Sequence, residues 1–359
     1  MISRERVLEA LSQVMDPDLQ KDLITLGMIE NLRIENKNVY FRLVLTTPAC
    51  PLKEQIKQAC LNAIHIMVDK QAEVQIEVTS KVTTKRADAT VLKGVKNIIA
   101  IASGKGGVGK STLAVNLAIT LQKLGSTVGI LDADIYGPSI PTMFGVYDAP
   151  EMVEVDGRSL MQPIEKEGIK LLSIGFLLPP GQAVVWRGPM ISSAIRQFMN
   201  DVNWGNLDYL IIDLPPGTGD IHLTLAQQFP VTGLVIITTP QELALADARK
   251  AVAMFHMQGV SLPIIGVAEN MSYFVPDDAP DKKYYLFGSG GGQKLADEYN
   301  LPLLAQIPMF EPIRANADNG KVYESNNQPI NNAFLTFAQN VAQKIAVLNS
   351  LNNQSTING

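Results

Sequence analysis

One short loop constrains the fold of this chain more than any other feature. The segment NIIAIASGKGGVGKSTLAVNLAITL, residues 97–121, has the pattern of a strand, a glycine-rich loop and a helix. Within it, Gly104 to Ser111 match G-x-x-x-x-G-K-[ST], a loop whose backbone N–H groups cradle phosphate oxygens. The helix that follows directs the positive end of its dipole at the same anion. The loop therefore predicts a nucleotide-binding α/β domain.

The residues of this loop divide the work of binding ATP. We expect Lys110 to place its charge on the β- and γ-phosphates and Ser111 to offer its hydroxyl to Mg²⁺. A glycine turn without a ligand is the alternative interpretation. The remaining residues of the predicted nucleotide-binding loop are Gly104, Gly106, Gly107, Val108, Gly109 and Thr112.

Carboxylates at the ends of two further strands complete the predicted ATP site. LDADIYGPS places Asp132 and Asp134 after one strand, and LIIDLPPGTGD places Asp213 after another. Asp132 and Asp213 are candidate Mg²⁺ ligands, with Asp213 acting through water, and Asp134 is the candidate that orients the attacking water. Gly217 lies where a switch loop must approach the γ-phosphate. A capping or turn role is the alternative for each carboxylate.

Around the loop, apolar strands alternate with helices. The predicted strands are NIIAIAS, TVGILDAD, IKLLSIG, LDYLIIDLP, GLVIITTP and PIIGVAEN. Runs that are apolar along their whole length are typical of a parallel sheet covered on both faces. We therefore predict a P-loop NTPase domain over residues 97–346, with a mostly parallel sheet flanked by helices. The polar residues 347–359 predict a disordered tail.

Residues 1–82 have a different pattern, which predicts a small α+β domain. RERVLEALSQVM has helical spacing, and IENLRIENKNVYFRLVLT indicates two strands around the turn ENKN. Pro51 opens a second helix, and VQIEVT indicates a closing strand. The polar and basic residues 83–96 then predict a linker.

Composition restricts the functional classes. The chain has 359 residues and a net charge of −5, which argues against a nonspecific nucleic-acid binder. Its apolar runs are far shorter than the ~20 residues that span a bilayer. The first residues lack the apolar core of a signal peptide. We therefore predict a cytoplasmic protein with neither a nucleic-acid nor a membrane partner.

The loop contains a second lysine, Lys105, besides Lys110. KGGVGKS resembles the deviant Walker A signature shared by MinD, ParA and the Mrp/ApbC ATPases. In that class the early lysine reaches the phosphates of the partner subunit. The resemblance thus implies a homodimer in which Lys105 acts in trans, as an arginine finger does. A solvated loop lysine is the alternative.

Further segments resemble the Mrp/ApbC family, namely LDADIYGPSIPTM, VVWRGPM, DLPPGTGDIHLTLAQ, ENMSYF and FGSGGGQKLA. LTTPACPLKEQ and the pattern before it resemble the SufT-like small domain at the N-terminus of many bacterial members. Together these resemblances imply a slow, Mg²⁺-dependent ATPase that carries Fe–S clusters to apoproteins, with client proteins or an assembly scaffold as partners. They also imply that Asn270 reads the purine base, with a structural asparagine as the alternative. Arg187 would face the partner or the switch loops, with a surface salt bridge as its alternative.

The cluster ligands are the one departure from the family pattern. Family members with a demonstrable cluster site carry CxxC after ENMSYF, where this chain has Pro276 and Ala279, and neither can ligate iron as a thiolate. The two thiols of the chain are Cys50 and Cys60. Cys60 lies on an apolar helical stripe, which predicts a core thiol. Cys50 precedes the predicted helix, where a helix N-terminus lowers a thiol's pKa, and is our candidate for contacting iron or a client. An inert cysteine is the alternative.

Two functions other than cluster carriage remain open from the sequence. The first is a ParA/MinD-like positioning ATPase, although the C-terminal segment has one lysine and no basic amphipathic face for a membrane. The second is a regulatory ATPase that has lost the cluster, which the missing CxxC favours. The colour of protein purified without oxygen distinguishes a cluster carrier from both.

Overall fold

A computed structural model of the protein describes residues 2–86, 90–135, 137–177, 188–276, 278–279, 281–322 and 328–351. The chain divides into two units. The smaller unit comprises Met1–Lys85 together with Ala342–Gly359, and the larger unit comprises Arg86–Val341. Among the described residues, none of the helices combines the length and the hydrophobicity that a membrane span requires.

The smaller unit is an α+β domain, as predicted. Its three-stranded sheet has the order β3-β4-β5, with β3 antiparallel to β4 and β4 parallel to β5. Alternate residues of β4 are buried, which is why this segment forms a strand with one face against the core. Its elements are α1 (Arg4–Leu11), β1 (Met15–Asp16), β2 (Lys21–Asp22), β3 (Ile29–Glu35), β4 (Asn38–Leu45), α2 (Lys53–Met67) and β5 (Glu73–Ser80).

The larger unit contains an eight-stranded sheet in the order β10-β11-β7-β12-β6-β13-β14-β15. All six strands predicted from the sequence are in it, and each pairs in parallel with at least one other of the six. Of the described strands in this sheet, β10 alone pairs antiparallel. The strands of the larger unit are β6 (Val95–Ser103), β7 (Val128–Asp132), β8 (Met152–Val155), β9 (Arg158–Met161), β10 (Ile164–Lys166), β11 (Ile169–Ser173), β12 (Leu207–Asp213), β13 (Gly233–Thr238), β14 (Ile264–Glu269) and β15 (Leu303–Gln306).

Helices connect these strands and bury the sheet, so that every residue of β13 and nearly every residue of β6 is buried. This burial explains why these strands are apolar along their whole length. The mostly parallel sheet of a P-loop NTPase is thereby confirmed. The helices are α3 (Lys110–Lys123), α4 (Ile140–Phe144), α5 (Gly188–Asn200), α6 (Asp220–Gln228), α7 (Glu242–His256), α8 (Gly291–Glu298), α9 (Glu311–Asp318) and α10 (Gln328–Leu351), with a 3₁₀ turn at Ile174–Leu177.

The predicted boundaries need three corrections. Strand β6 begins at Val95, inside the segment predicted as a linker. Helix α10 continues to Leu351, so the first residues of the predicted tail are helical, and residues 352–359 lie outside the described part of the chain. The C-terminal part of α10, from Ala342, groups with the smaller unit rather than with the P-loop domain. Within the smaller unit, Gln343 donates to the Asp18 carboxylate and Asn349 donates to the Thr83 carbonyl.

A candidate nucleotide site at the carboxyl edge of the sheet

The glycine-rich loop joins β6 to α3 in a conformation that its neighbours enforce. Gly109 has φ +80° and forms the N-cap of α3, whose first residue is Lys110. A Cβ on Gly109 would overlap the side-chain amide of Asn270, and a Cβ on Gly104 would overlap the main chain of Asp247. A Cβ on Gly107, by contrast, would meet no atom within 4 Å. Packing therefore fixes the two ends of the loop, and its centre is open.

Lys110 lies at the centre of a buried charge cluster. Its Nζ donates to Asp213 Oδ1 at 2.6 Å and lies 3.6 Å from Asp134 Oδ2. Lys110 is 6% exposed and Asp213 is fully buried. Asp213 Oδ2 has no hydrogen-bond partner among the described residues. The structure thus brings together the predicted phosphate-binding lysine and two of the three predicted carboxylates.

The third carboxylate, Asp132, lies beside Asp213 because the parallel pairing of β7 and β12 places the two residues opposite each other. Asp132 is fully buried. Its Oδ1 accepts from the Asp134 N–H at 3.1 Å, and its Oδ2 accepts from the Ile140 N–H at 3.2 Å and the Ser173 hydroxyl at 3.0 Å. Burial, reinforced by the Asp213 carboxylate, raises the pKa of Asp132 to about 7. Charge on Asp132 is therefore costly in this structure unless a cation is nearby.

A cavity of about 540 Å³ opens beside the loop. The predicted base-reading residue, Asn270, lies at its wall, and its Nδ2 donates to the carbonyl of Val108 at 2.9 Å. Asn270 therefore has the structural role that was the alternative interpretation, because it holds the glycine-rich loop in place. Its side chain also lines the cavity beside that loop. The lining is mostly apolar: Gly109, Thr112, Met143, Asn270, Met271, Phe274, Pro308, Met309, Phe310, Glu311, Ile313, Arg314, Ala317, Asp318 and Phe334.

Ser111 and Lys105 of the loop are both half-buried. Ser111 Oγ lies 3.3 Å from Lys110 Nζ. Lys105 is half-buried, and its ammonium forms no ion pair with the described residues. Its direction is consequently set by its backbone rather than by a charged partner.

Three polar residues of this edge were not identified from the sequence. Ser173 ends β11, and its hydroxyl donates a hydrogen bond to Asp132. Ser103 ends β6, and its hydroxyl donates to the Lys105 carbonyl. His222 lies after Asp213 in the chain, and its Nε2 is 2.9 Å from the Pro215 carbonyl. Burial lowers the pKa of His222. The two serines could have been found as polar residues that end predicted apolar strands, whereas no sequence signal indicates the partner of His222.

The two cysteines of the smaller unit differ in burial as predicted, but the pKa of each thiol is raised rather than lowered. Cys60 is fully buried in the core, which confirms it as a core thiol, and burial raises its pKa to about 12. Cys50 is half-buried and lines a small cavity with Asp16 and Asp18. The expected lowering of its pKa is wrong. Burial raises the pKa of Cys50 and the two carboxylates raise it further, while the hydrogen bond from the Leu52 N–H only partly opposes them.

Pro276 and Ala279, the two positions at which the family resemblance had implied cysteines, are joined by a hydrogen bond from the Ala279 N–H to the Pro276 carbonyl at 3.1 Å. Within the described part of the chain, no group of three or more His, Cys, Asp or Glu side chains could hold a metal ion. Arg187, predicted to face a partner or the switch loops, lies outside the described residues.

A phosphate-binding loop at the carboxyl edge of a parallel sheet, with its lysine among strand-end carboxylates, defines a P-loop NTPase. The chain belongs to the NUBPL iron-transfer P-loop NTPase family, whose profile matches residues 94–342. Residues 4–78 match the profile of the family described as iron-sulfur cluster assembly protein. The suspected resemblance to the iron–sulfur branch of these ATPases is confirmed in both parts of the chain.

Individual relatives agree with the family profiles. The chain is 47% identical over 352 residues to an iron-sulfur cluster carrier protein of Synechocystis, covering 97% of this chain and 99% of the relative. It is 44% identical over 345 residues to the protein of that description in Haemophilus influenzae, covering 95% and 92%. Among solved structures, it resembles a nucleotide-binding protein of Archaeoglobus fulgidus in complex with ADP, with 40% identity and a TM-score of 0.57, covering 66% of this chain and 92% of that one.

Proposed function

We propose that the protein is an ATP-hydrolysing homodimer that carries iron–sulfur clusters and assists their transfer to apoproteins. The proposal is carried by the Lys110–Asp213 cluster in a chain that matches iron-sulfur cluster carrier proteins over nearly its whole length. The cytoplasmic location expected from the sequence stays a prediction.

The nucleotide site fits ATP with Mg²⁺. The unpartnered Oδ2 of Asp213 is an oxygen donor of the kind that Mg²⁺ prefers, and the open centre of the loop at Gly107 leaves room for phosphate oxygens. Ser111, Asp132 and Asp213 would hold the cation, with Asp213 acting through water. The cation, when bound, would neutralise charge on the β- and γ-phosphates.

The residues of this chain have separate roles in the proposed hydrolysis. Lys110 would leave Asp213 to bind the β- and γ-phosphates, while the loop N–H groups from Gly104 to Thr112 hold the same oxygens. Asp134, buried and close to Lys110, would orient the attacking water. The cavity beside Asn270 has space for a purine base.

Hydrolysis would require a second copy of the chain. The half-buried Lys105 ammonium has no ion-pair partner among the described residues, which suits a lysine that completes the partner's site. Because two sites must assemble at once, we expect slow basal hydrolysis. A Lys105→Ala variant should bind ATP with unchanged affinity and lose most hydrolysis, and hydrolysis at the wild-type rate would contradict the dimer.

The Fe–S cluster is cargo in this proposal, and the chain supplies few ligands for it. With Cys60 in the core, Cys50 is the one thiol per chain that lies near the surface. Two Cys50 thiols in a dimer cannot provide four thiolates. A client cysteine or an exogenous thiol would complete the ligand set.

Anaerobic reconstitution with iron and sulfide tests cargo binding. Iron per dimer and the visible spectrum would be measured for the wild type, Cys50→Ser and the core control Cys60→Ala. We expect a brown wild type and Cys60→Ala protein, and a Cys50→Ser protein that retains no iron. Iron retained by Cys50→Ser would exclude Cys50 as the ligand.

One observation favours a second function, a regulatory ATPase without a cluster. Pro276 and Ala279 occupy the positions of the family's cysteine pair, and the residues between them include no thiol. If the wild type hydrolyses ATP but retains no iron after reconstitution, this second function replaces the first.

A further inference from the structure

Ser103 connects two loops of the nucleotide site. It is the last residue of β6 and is fully buried. Its hydroxyl donates to the carbonyl of Lys105 at 3.0 Å, and its own carbonyl accepts from the N–H of Gly217 at 2.9 Å. One residue therefore contacts the main chain of the glycine-rich loop and that of the segment after Asp213.

The contact to Lys105 has a special place in the loop. Among hydrogen bonds between described residues, the Ser103 hydroxyl provides the one that is donated to the main chain of residues 104–107. Gly104 is held separately by close packing against Asp247. The next restraint along the loop is the bond from Asn270 to Val108. Between these two anchors, the path of the Lys105 backbone depends on Ser103.

The two contacts of Ser103 differ in what they need from the side chain. The bond to Gly217 uses a main-chain carbonyl, which any residue at this position would provide. The bond to Lys105 uses the hydroxyl, which only a serine or a threonine retains in the same place. Substitution of the side chain can therefore separate the two contacts.

We propose that Ser103 is a positioning residue that sets the direction of Lys105 and couples it to the Gly217 segment. The inference rests on the proposed function, in which Lys105 acts in the nucleotide site of a second chain. Because the Lys105 ammonium has no ion-pair partner among the described residues, its reach follows from its backbone. A reacting group displaced by about 1 Å can cost as much as ~10²-fold in rate.

The first test is a double-mutant cycle on ATP hydrolysis at saturating Mg²⁺–ATP. We expect Ser103→Ala to lower kcat about tenfold with KM for ATP changed less than about twofold, since Lys110 and Ser111 keep their contacts. Ser103→Thr should restore most of the rate because it keeps the donor. In a Lys105→Ala background, Ser103→Ala should add no further loss.

Ser272→Ala is the matched control. Ser272 is also buried, and its hydroxyl also donates to a main-chain carbonyl, that of Glu269, at 2.9 Å. This variant should keep kcat within about twofold of wild type. A tenfold loss in the control, or a Ser103→Ala loss that persists in full without Lys105, would overturn the inference.

Hydrogen exchange of the nucleotide-free protein provides a second readout that needs no hydrolysis. Peptides covering residues 103–109 should exchange faster in Ser103→Ala than in wild type, Ser103→Thr or Ser272→Ala. Unchanged exchange overturns the inference. If the wild type hydrolyses no ATP, the proposed function is refuted. Hydrogen exchange alone then tests whether Ser103 positions the Lys105 backbone. Thermal denaturation identifies any variant that fails to fold. If Ser103→Thr fails to fold, the double-mutant cycle of Ser103→Ala with Lys105→Ala decides the test.

Discussion

Replacing Asp213 with asparagine removes one charge from the buried cluster and nearly preserves the shape of the side chain. The Lys110 ammonium donates to Asp213 at 2.6 Å and has Asp134 at 3.6 Å. After the substitution, Asp134 would be the only one of these two carboxylates left to balance the charge of Lys110. We expect the larger unit to be markedly less stable.

The magnitude follows from burial. Removing one partner of a buried ion pair costs about 3–5 kcal/mol, because the other charge is left without compensation. Since Asp134 remains and asparagine still offers an oxygen to Lys110, we expect a loss near the low end, about 3 kcal/mol. At about 2–4 °C per kcal/mol for a unit of this size, Tm should fall by about 6–12 °C.

Urea denaturation followed by tryptophan fluorescence measures this loss in the correct unit, because Trp204 is buried in the core of the unit Arg86–Val341. Asp201→Asn is the control, because its ion pair with Arg158 is exposed and should contribute little.

A second substitution separates the ion pair from other effects of Asp213. Lys110→Met alone leaves the fully buried Asp213 without its cation and should also destabilise strongly. The combination of Lys110→Met with Asp213→Asn should lose much less than the sum of the two single losses. The reasoning is refuted if the losses in free energy of unfolding of the two single variants add up in the double variant. It is also refuted if Asp213→Asn unfolds at the same urea midpoint as the control Asp201→Asn.

Two further predictions concern protonation. Because burial and the nearby carboxylates raise the pKa of Cys50, less thiolate exists at pH 8 than in free cysteine. Iodoacetamide should therefore alkylate Cys50 more slowly than a free thiol, and Asp18→Asn should accelerate the reaction. If Cys50 and a free thiol react at the same rate, the pKa of Cys50 is not raised. For Asp132, whose pKa is raised to about 7, protons compete with a cation as the pH falls through that value. The affinity for Mg²⁺–nucleotide should thus be weaker at pH 6 than at pH 8, and calorimetry that finds equal affinities would exclude Asp132 as a ligand.

The sequence was sufficient where the controlling interactions are local or follow from strand pairing. The glycine-rich loop and its lysine are contiguous, and the apolar strand patterns predicted six strands of the central sheet and their parallel pairing, but not their order. Parallel strands end at one edge, so the sequence placed Asp132 and Asp213 at the same edge of the sheet, and the direct pairing of β7 with β12 brings them side by side. The direct pairing of Lys110 with Asp213 was not predictable, because it depends on side-chain conformations more than a hundred residues apart.

The sequence misled where distant segments change a residue's surroundings. The position of Cys50 before a helix suggested a stabilised thiolate, but the helix begins at Lys53, and two carboxylates from an earlier turn oppose the charge. The polarity of the last residues suggested disorder from residue 347. Instead, α10 continues to Leu351, and Asn349 is buried with its amide donating to the Thr83 carbonyl at 2.9 Å.

Lys110 and Asp213 form a direct ion pair, and a phosphate bound at this lysine competes with that carboxylate. A phosphate must therefore bind by exchange with Asp213, so that affinity is the difference between two strong attractions rather than the strength of one. After the exchange, Asp213 is a fully buried anion without a counter-ion, which is a costly state unless a divalent cation arrives with the same phosphate. The carboxylate thus acts as an internal competitor that favours a metal–nucleotide complex over free orthophosphate.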